Sequence, residues 1–179
     1  RKRMPLFYWS EEYVRAFQAC YAPTRPPPAP GSLLYLGRYD IASEAVARRY
    51  PSEDTARAVV SMGGTVARQQ ALNVETASQL AEQAETVVAD HGSGVLNIMF
   101  WRPRAVIELV VDDWWVNNNL FVAHDMGVEH YAVIKVDGLT SLEITRKLDA
   151  CLAHFRSRPA ALDAGERRSD PISQGREAR

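Results

Sequence analysis

The chain lacks the marks of a membrane protein, a disulfide scaffold or a general nucleic-acid binder. No apolar run approaches the ~20 residues that span a bilayer, and no signal peptide is visible. Only two cysteines occur, Cys20 and Cys151, and their wide separation predicts buried free thiols rather than a disulfide or a metal site. The formal net charge of −1 gives no electrostatic reason to expect nucleic-acid binding.

The remaining composition is that of one ordinary globular domain with unusual ends. The 179 residues are 46% apolar and 24% charged, which is enough to build a hydrophobic core. Residues 1–31 combine an aromatic-rich stretch with a proline-rich segment, whereas residues 157–179 have few large apolar side chains. We therefore predict an N-terminal helix and linker over 1–31, a folded domain over 32–156 and a disordered tail over 157–179.

Short apolar segments alternate with helical segments through the folded domain. Apolar runs bounded by turn residues favour strands, and the longer amphipathic stretches favour helices. Ser52 is predicted to cap the first helix after the linker. The predicted strands are 33–36, 65–67, 86–89, 105–111 and 131–135, and the predicted helices are 52–62, 73–83, 93–101, 117–126 and 139–155.

This alternation is typical of βαβ units and predicts the fold class. The strands are nearly continuous apolar runs, as in parallel sheets that helices cover on both faces. We predict an α/β fold with a doubly wound, Rossmann-like parallel sheet. Ligands of such sheets bind beyond the carboxyl ends of the strands, at the point where the strand order reverses. The candidate site residues are therefore those that follow the strands.

The most distinctive junction follows the third predicted strand. There an apolar strand leads into Asp90-His91-Gly92-Ser93-Gly94 and then into a predicted apolar helix. Unpaired N–H groups and the positive end of a helix dipole suit an anion, and we expect a phosphate. The segment matches neither the dinucleotide fingerprint nor the Walker loop, because the glycine spacing differs and no lysine follows.

Two side chains at the strand ends are candidates for contact with a diphosphate. Arg38 follows the first strand and carries a planar cation that matches phosphate oxygens. A surface ion pair of Arg38 with Asp40 or Glu44 is the alternative. His91 can donate to a phosphate or sugar oxygen, and its alternative role is to satisfy loop carbonyls.

The glycine turn and the predicted helix supply further candidates. Gly92 and Gly94 permit close approach of the backbone to a ligand, although a plain tight turn also explains them. Ser93 can cap the helix or bind the ligand. Asn97 lies on an apolar helix, so its amide either ties the turn to the next strand or reaches the ligand.

Glu108 is the remaining candidate, because it interrupts the apolar fourth strand. A carboxylate in such a position is costly unless it is paired or faces a site. It is expected either to accept from ribose or sugar hydroxyls or to pair with Arg102 or Arg104.

No metal site is predicted, since the histidines match no zinc spacing. Asp112-Asp113 could hold Mg²⁺ with a diphosphate or cap the segment that follows.

Motifs along the second half of the domain resemble a known family. They are His91-Gly92-Ser93-Gly94, Asn97-Ile98-Met99-Phe100, Arg102-Pro103 and Val106-Ile107-Glu108-Leu109. In this order they resemble the block of glycosyltransferase family 61, which has His-Gly-Ala-Gly, an Asn, a Phe, Pro-Gly and a strand with Glu. Ser93 replaces the usual alanine, and Arg104 stands where glycine is common. A weaker similarity covers about residues 33–135, including Tyr35-Leu36-Gly37-Arg38.

The resemblance implies a GT-B glycosyltransferase, of which this chain is the C-terminal, donor-binding part. Such enzymes transfer a sugar from a nucleotide diphosphate sugar, here a UDP-sugar by preference, to a protein or polysaccharide acceptor. The implied reaction is inverting and independent of metals, needs no cofactor besides the donor, and takes its general base from an N-terminal domain. Arg38 and His91 are the implied catalytic residues. Arg38, Gly92, Ser93, Gly94, Asn97 and Glu108 are the implied donor-binding residues.

A non-catalytic α/β module is the alternative class. Such a module would bind a nucleotide or a partner without turnover, because fold alone does not imply function. A dehydrogenase or methyltransferase is disfavoured, since their glycine loop follows the first strand and here it follows the third. The compartment stays open: a eukaryotic source would suggest the secretory-pathway lumen, and a bacterial source the cytoplasm or the membrane periphery.

Overall fold

A five-stranded parallel sheet forms the centre of the protein. The structure, a computed structural model, describes residues 16, 28–38, 50–68, 76, 80, 84–98, 103–111 and 117–158. The strands are β1 (Leu33–Gly37), β2 (Thr65–Arg68), β3 (Thr86–Asp90), β4 (Ala105–Val110) and β5 (His130–Lys135). All paired strands are parallel, and the strand order is β2-β1-β3-β4-β5. The predicted α/β, Rossmann-like class is confirmed, while the doubly wound arrangement and a GT-B pairing with a second domain stay predictions.

Helices cover the sheet, and alternate strand residues divide the core into two apolar clusters. The helices whose bounds lie in the described ranges are α1 (Ser52–Ser61), the 3-10 helix (Ser93–Asn97), α2 (Asn118–Asp125) and α3 (Ser141–Ser157). One cluster joins Leu36 and Val87 to residues of α2 and the 3-10 helix, and the other joins Tyr35 and Val88 to residues of α1 and α3. Successive side chains of a strand point to opposite faces, so each cluster lies on its own face of the sheet.

The helix predicted over 93–101 is wrong in type at its start. Ser93–Asn97 forms a 3-10 helix, and the Val95 N–H donates to the Gly92 carbonyl at 3.1 Å, a bond that spans three residues. Gly94 in its first turn disfavours a regular α-helix. The anion site expected at this junction therefore adjoins a 3-10 segment and not the first turn of a regular α-helix.

The predicted cap of α1 is also wrong. Ser52 is the first residue of the helix, Pro51 occupies the cap position, and no side chain caps this end. The Ser52 hydroxyl instead donates to the Asp90 carboxylate at 3.3 Å. A cap would use the Ser52 oxygen as an acceptor of a backbone N–H. Here the Ser52 hydroxyl instead donates to a buried carboxylate, which is a strong acceptor, so a tertiary contact overrides the local capping preference.

Helix α3 has the clearest local start signal in the fold. The Thr140 backbone N–H donates to the Glu143 carboxylate at 2.8 Å, and the Glu143 N–H donates to the Thr140 hydroxyl at 3.4 Å. This capping box satisfies two otherwise unpaired donors. No helix in the described ranges combines the length and apolarity that a bilayer span requires.

Several other expectations concern residues outside the described part of the chain. They are the N-terminal helix and most of its linker, most of the helix predicted over 73–83, and nearly all of the tail predicted over 157–179. The cysteine prediction is testable only at Cys151, which is a half-buried free thiol on α3.

Candidate functional site

The candidate site lies where the chain leaves β1 and β3. The order β2-β1-β3-β4-β5 places β1 and β3 side by side. The strand that follows β1 in the chain, β2, lies on one side of this pair, and the strand that follows β3, β4, lies on the other side. This is the point at which open α/β sheets leave a crevice for ligands. Arg38 directly follows β1, and His91 directly follows β3. The sheet therefore brings together two residues that are 53 positions apart.

Arg38 lies against the turn that follows β3. Its Nη1 donates to the His91 carbonyl at 3.2 Å, and its backbone N–H donates to the Asp90 carboxylate at 2.9 Å. The side chain is half-buried. The predicted placement of Arg38 beside the glycine turn is thus seen in the structure. The alternative partners of its guanidinium, Asp40 and Glu44, lie outside the described residues.

Gly92 lets the guanidinium approach this closely. Its φ of 142° and ψ of −168° lie in a region that is essentially restricted to glycine. A Cβ at this position would lie 3.0 Å from Arg38 Nη1. The backbone conformation therefore requires glycine, and a Cβ added here would also press on the Arg38 guanidinium.

A buried carboxylate, Asp90, joins three elements under the α1 side of the turn. It is fully buried, and Tyr35 Oη donates to its two oxygens at 3.0 and 3.1 Å. Its further donors are the Arg38 backbone N–H and Ser52 Oγ. Burial raises the pKa of Asp90 to about 6, although the hydrogen bonds from Arg38, Tyr35 and Ser52 oppose that rise.

A second buried carboxylate, Glu108, lies on the α2 side of the turn. His91 Nδ1 lies 2.6 Å from Glu108 Oε1, Asn119 Nδ2 donates to the same oxygen at 2.5 Å, and Tyr131 Oη donates to Oε2 at 2.7 Å. Both His91 and Glu108 are almost completely inaccessible to solvent. Burial, followed by the Glu108 charge, raises the pKa of Tyr131.

The turn itself is bonded from several directions. Besides Arg38 Nη1, the Tyr50 hydroxyl donates to the His91 carbonyl at 3.4 Å. Asn119 Nδ2 reaches the Gly92 carbonyl at 3.4 Å. The His91 N–H donates to the Leu109 carbonyl at 2.8 Å and so extends the β3–β4 ladder by one residue. These contacts hold the His91–Gly92 backbone in one position.

Glu108 was predicted either to accept from ribose or sugar hydroxyls or to pair with Arg102 or Arg104. The expected ion pair with Arg104 is wrong, because Arg104 pairs with Glu129 at 2.8 Å and Glu85 at 3.4 Å. Those residues lie at the amino ends of the strands, away from the turn. Arg102 lies outside the described residues. Direct contact of Glu108 with a ligand stays a prediction, since its observed partners are protein side chains.

The remaining site predictions are only partly described. Gly94 is half-buried in the 3-10 helix, and the side chains of Ser93 and Asn97 lie outside the described part, so their ligand contacts stay predictions. The Asp112-Asp113 pair lies outside it as well. In the described ranges, no group of three or more His, Cys, Asp or Glu is arranged to hold a metal ion.

Sequence reasoning missed Asp90, Tyr35, Asn119 and Tyr131 as parts of the site. Two features of the sequence could have pointed to these contacts. A tyrosine in a continuous apolar strand needs a partner for its hydroxyl, and Tyr35 has one in Asp90. Strand alternation extended past β3 also puts position 91 on the face of residues 87 and 89, which is the face of Glu108 in the observed register.

Comparison with known proteins adds no family to this picture. No protein-family model matches the chain, and a search of curated proteins gives no significant match. The function is therefore argued from the site.

Proposed function

We propose that this chain is the donor-binding part of a glycosyltransferase resembling family 61, with a nucleotide diphosphate sugar bound beyond β1 and β3. The observation that carries the proposal is the contact between the Arg38 guanidinium and the His91–Gly92 turn. This contact puts a permanent positive charge at the point where the strand order reverses. A diphosphate is the ligand that best fits a planar cation beside a turn whose glycine leaves the backbone uncovered.

Arg38 has the main chemical role in this proposal. When the bond between the sugar and the diphosphate breaks, negative charge accumulates on the leaving diphosphate. A fixed guanidinium stabilises this charge in the transition state more than in the ground state, which accelerates the reaction. The contacts of Arg38 with the His91 carbonyl and with Asp90 position it before the donor arrives. The acceptor site and the general base belong, by the resemblance, to an N-terminal domain.

Calorimetric binding of UDP, GDP and ADP, with CMP as a reference, tests the proposal directly. We expect one diphosphate, UDP by preference, to bind the wild-type chain. Arg38→Ala should weaken that binding by roughly 10- to 100-fold, the value of one or two charge-assisted hydrogen bonds. Arg57→Ala is the matched control, because Arg57 is an exposed arginine on α1 that pairs with Asp54.

The outcomes of this experiment differ clearly. Loss of affinity in Arg38→Ala but not in Arg57→Ala supports the donor site. The diphosphate that binds identifies the nucleobase of the donor. Equal affinity of wild type and Arg38→Ala contradicts the assigned role of Arg38. Absence of diphosphate binding by the wild-type chain contradicts the proposed function.

A nucleotide-binding module without turnover is the second candidate. The observation that favours it is the burial of His91, whose ring lies beneath the turn and contacts Glu108. A ring held in this way can serve to shape the turn alone. Release of UDP from UDP-sugars, measured with an acceptor and with the N-terminal domain that the resemblance implies, separates the candidates, since the module would bind the diphosphate and release none from the sugar.

A further inference from the structure

The ring of His130 connects the start of β5 to the end of α3. His130 is the first residue of β5, and its ring stacks on that of Phe155, with centroids 5.0 Å apart and ring planes 7° from parallel. Phe155 lies in the last turn of α3 and is only 8% exposed, as part of the apolar cluster on that face of the sheet. The His130–Phe155 stack therefore fastens the end of α3 to the amino edge of the sheet.

The stacked position suits a neutral imidazole and not a charged one. Nε2 of His130 is buried and has no hydrogen-bond partner in the part of the chain that the structure describes. A neutral imidazole carries a proton on one nitrogen only, whereas an imidazolium carries one on both, so that Nε2 must then be a donor. Protonation of the ring would thus create a charged N–H that neither a described acceptor nor water reaches, and such a group is costly to bury.

The charged and titratable groups around His130 also disfavour a positive ring. They are Glu85, Arg104, Glu129, His154, Arg156 and Arg158. The two carboxylates both pair with Arg104, Glu129 at 2.8 Å and Glu85 at 3.4 Å. Burial, followed by the Arg104 charge, lowers the pKa of His130, and the charge of Glu129 opposes this only in part.

We propose that the His130–Phe155 stack is a pH-sensitive contact, which holds the end of α3 on the sheet while His130 is neutral and releases it when His130 is protonated. Release gives water access to both ring nitrogens of the imidazolium, and it exposes the Phe155 ring. The contact lies at the amino ends of the strands, whereas Arg38 and the His91–Gly92 turn follow their carboxyl ends. The inference therefore does not depend on the proposed function.

The direction of the pH dependence follows from the lowered pKa of His130. Its ordinary value of 6.5 applies to the released ring, and the value in the stack is lower. On acidification the released form therefore binds the proton first. The contribution of this group to the contact is complete above pH 6.5 and is lost as pH falls from 6.5 through the lowered pKa.

NMR of the wild-type chain between pH 8 and pH 5 tests the contact directly. His130→Gln assigns the His130 signals. We expect a nuclear Overhauser effect between the His130 and Phe155 rings at pH 8, and its loss as His130 is protonated, with a midpoint below 6.5. An Overhauser effect that persists in the protonated chain overturns the proposal, and so does a His130 midpoint at or above 6.5. This measurement needs no variant to keep the contact intact.

His130→Phe supplies a ring that can stack but cannot be protonated. Hydrogen-exchange protection of the amides in the last turn of α3, corrected for the intrinsic effect of pH, should fall in the wild type by up to roughly tenfold per pH unit below 6.5. It should stay constant in His130→Phe. His124→Gln is the matched control, because His124 is an exposed histidine on α2, and it should behave as the wild type does. Equal loss of protection in His130→Phe and the wild type overturns the role of His130.

Discussion

Replacement of Asp90 by asparagine should change the pH dependence of stability in a defined direction. Asp90 is fully buried, and its pKa is raised by burial from 3.8 to about 6. Between these two values the folded chain holds a proton that the unfolded chain has released. Stability therefore falls as pH rises through this window. Above about pH 6, Asp90 is ionised in both states, and its titration no longer changes the stability. Asparagine removes the titration and keeps an oxygen that can accept from the Arg38 backbone N–H.

The size of the effect follows from the shift in pKa. A difference of about two units corresponds to roughly 3 kcal/mol, because each unit represents 1.36 kcal/mol. The free energy of unfolding of Asp90→Asn minus that of the wild type should thus increase by about 2 kcal/mol between pH 4 and pH 7, because part of the total of about 3 kcal/mol is already lost below pH 4, where the unfolded chain titrates. Comparison with the wild type at each pH cancels the titration of all other groups.

Urea denaturation followed by far-UV circular dichroism at several pH values measures this difference. Asp149→Asn, on the exposed surface of α3, is the matched control for the substitution, and surface changes of this kind stay within about 0.5 kcal/mol. A difference between Asp90→Asn and the wild type that is constant from pH 4 to pH 7 would refute the reasoning. A difference that decreases over this range would refute it as well.

Two further substitutions test the turn and the fold separately. Gly92→Ala should destabilise the chain by about 1–3 kcal/mol and weaken UDP binding, since the new Cβ displaces Arg38; Gly138→Ala, which also has a positive φ but open space around it, should leave UDP affinity unchanged. Equal UDP affinity of both variants and the wild type would contradict the role of the close approach. Thr140→Ala removes the acceptor for the Glu143 N–H and should cost about 1 kcal/mol in urea denaturation. Diphosphate binding by this variant should remain that of the wild type.

The order of strands and helices is the part of the fold that the sequence predicted well. Every predicted strand is present within one or two residues, because apolar runs of this length are signals that need no tertiary information. Two details failed for different reasons. Ser52 donates to the distant Asp90 instead of capping α1. The segment after β3 begins as a 3-10 helix because a local residue, Gly94, disfavours a regular α-helix.

The site, like the fold, has features that the sequence predicts and features that it does not. The placement of the glycine turn beside Arg38 was predictable, because residues that follow parallel strands lie at the same edge of the sheet. The partners of Glu108 were not, because strand order and register decide which side chains meet across a sheet. Glu108 was expected to pair with nearby Arg104, but Arg104 lies at the amino ends of the strands and Glu108 towards their carboxyl ends.

The sequence by itself determined that this chain forms a parallel α/β sheet with a glycine turn after its third strand. Periodicity and glycine are local properties, and they act before distant parts of the chain meet. Only the tertiary structure decided that the His91–Gly92 turn lies between two buried carboxylates, Asp90 on one face and Glu108 on the other. The reason is physical: pairing of β3 with β1 and β4 sets the register, and alternation of side chains then assigns each carboxylate to its face.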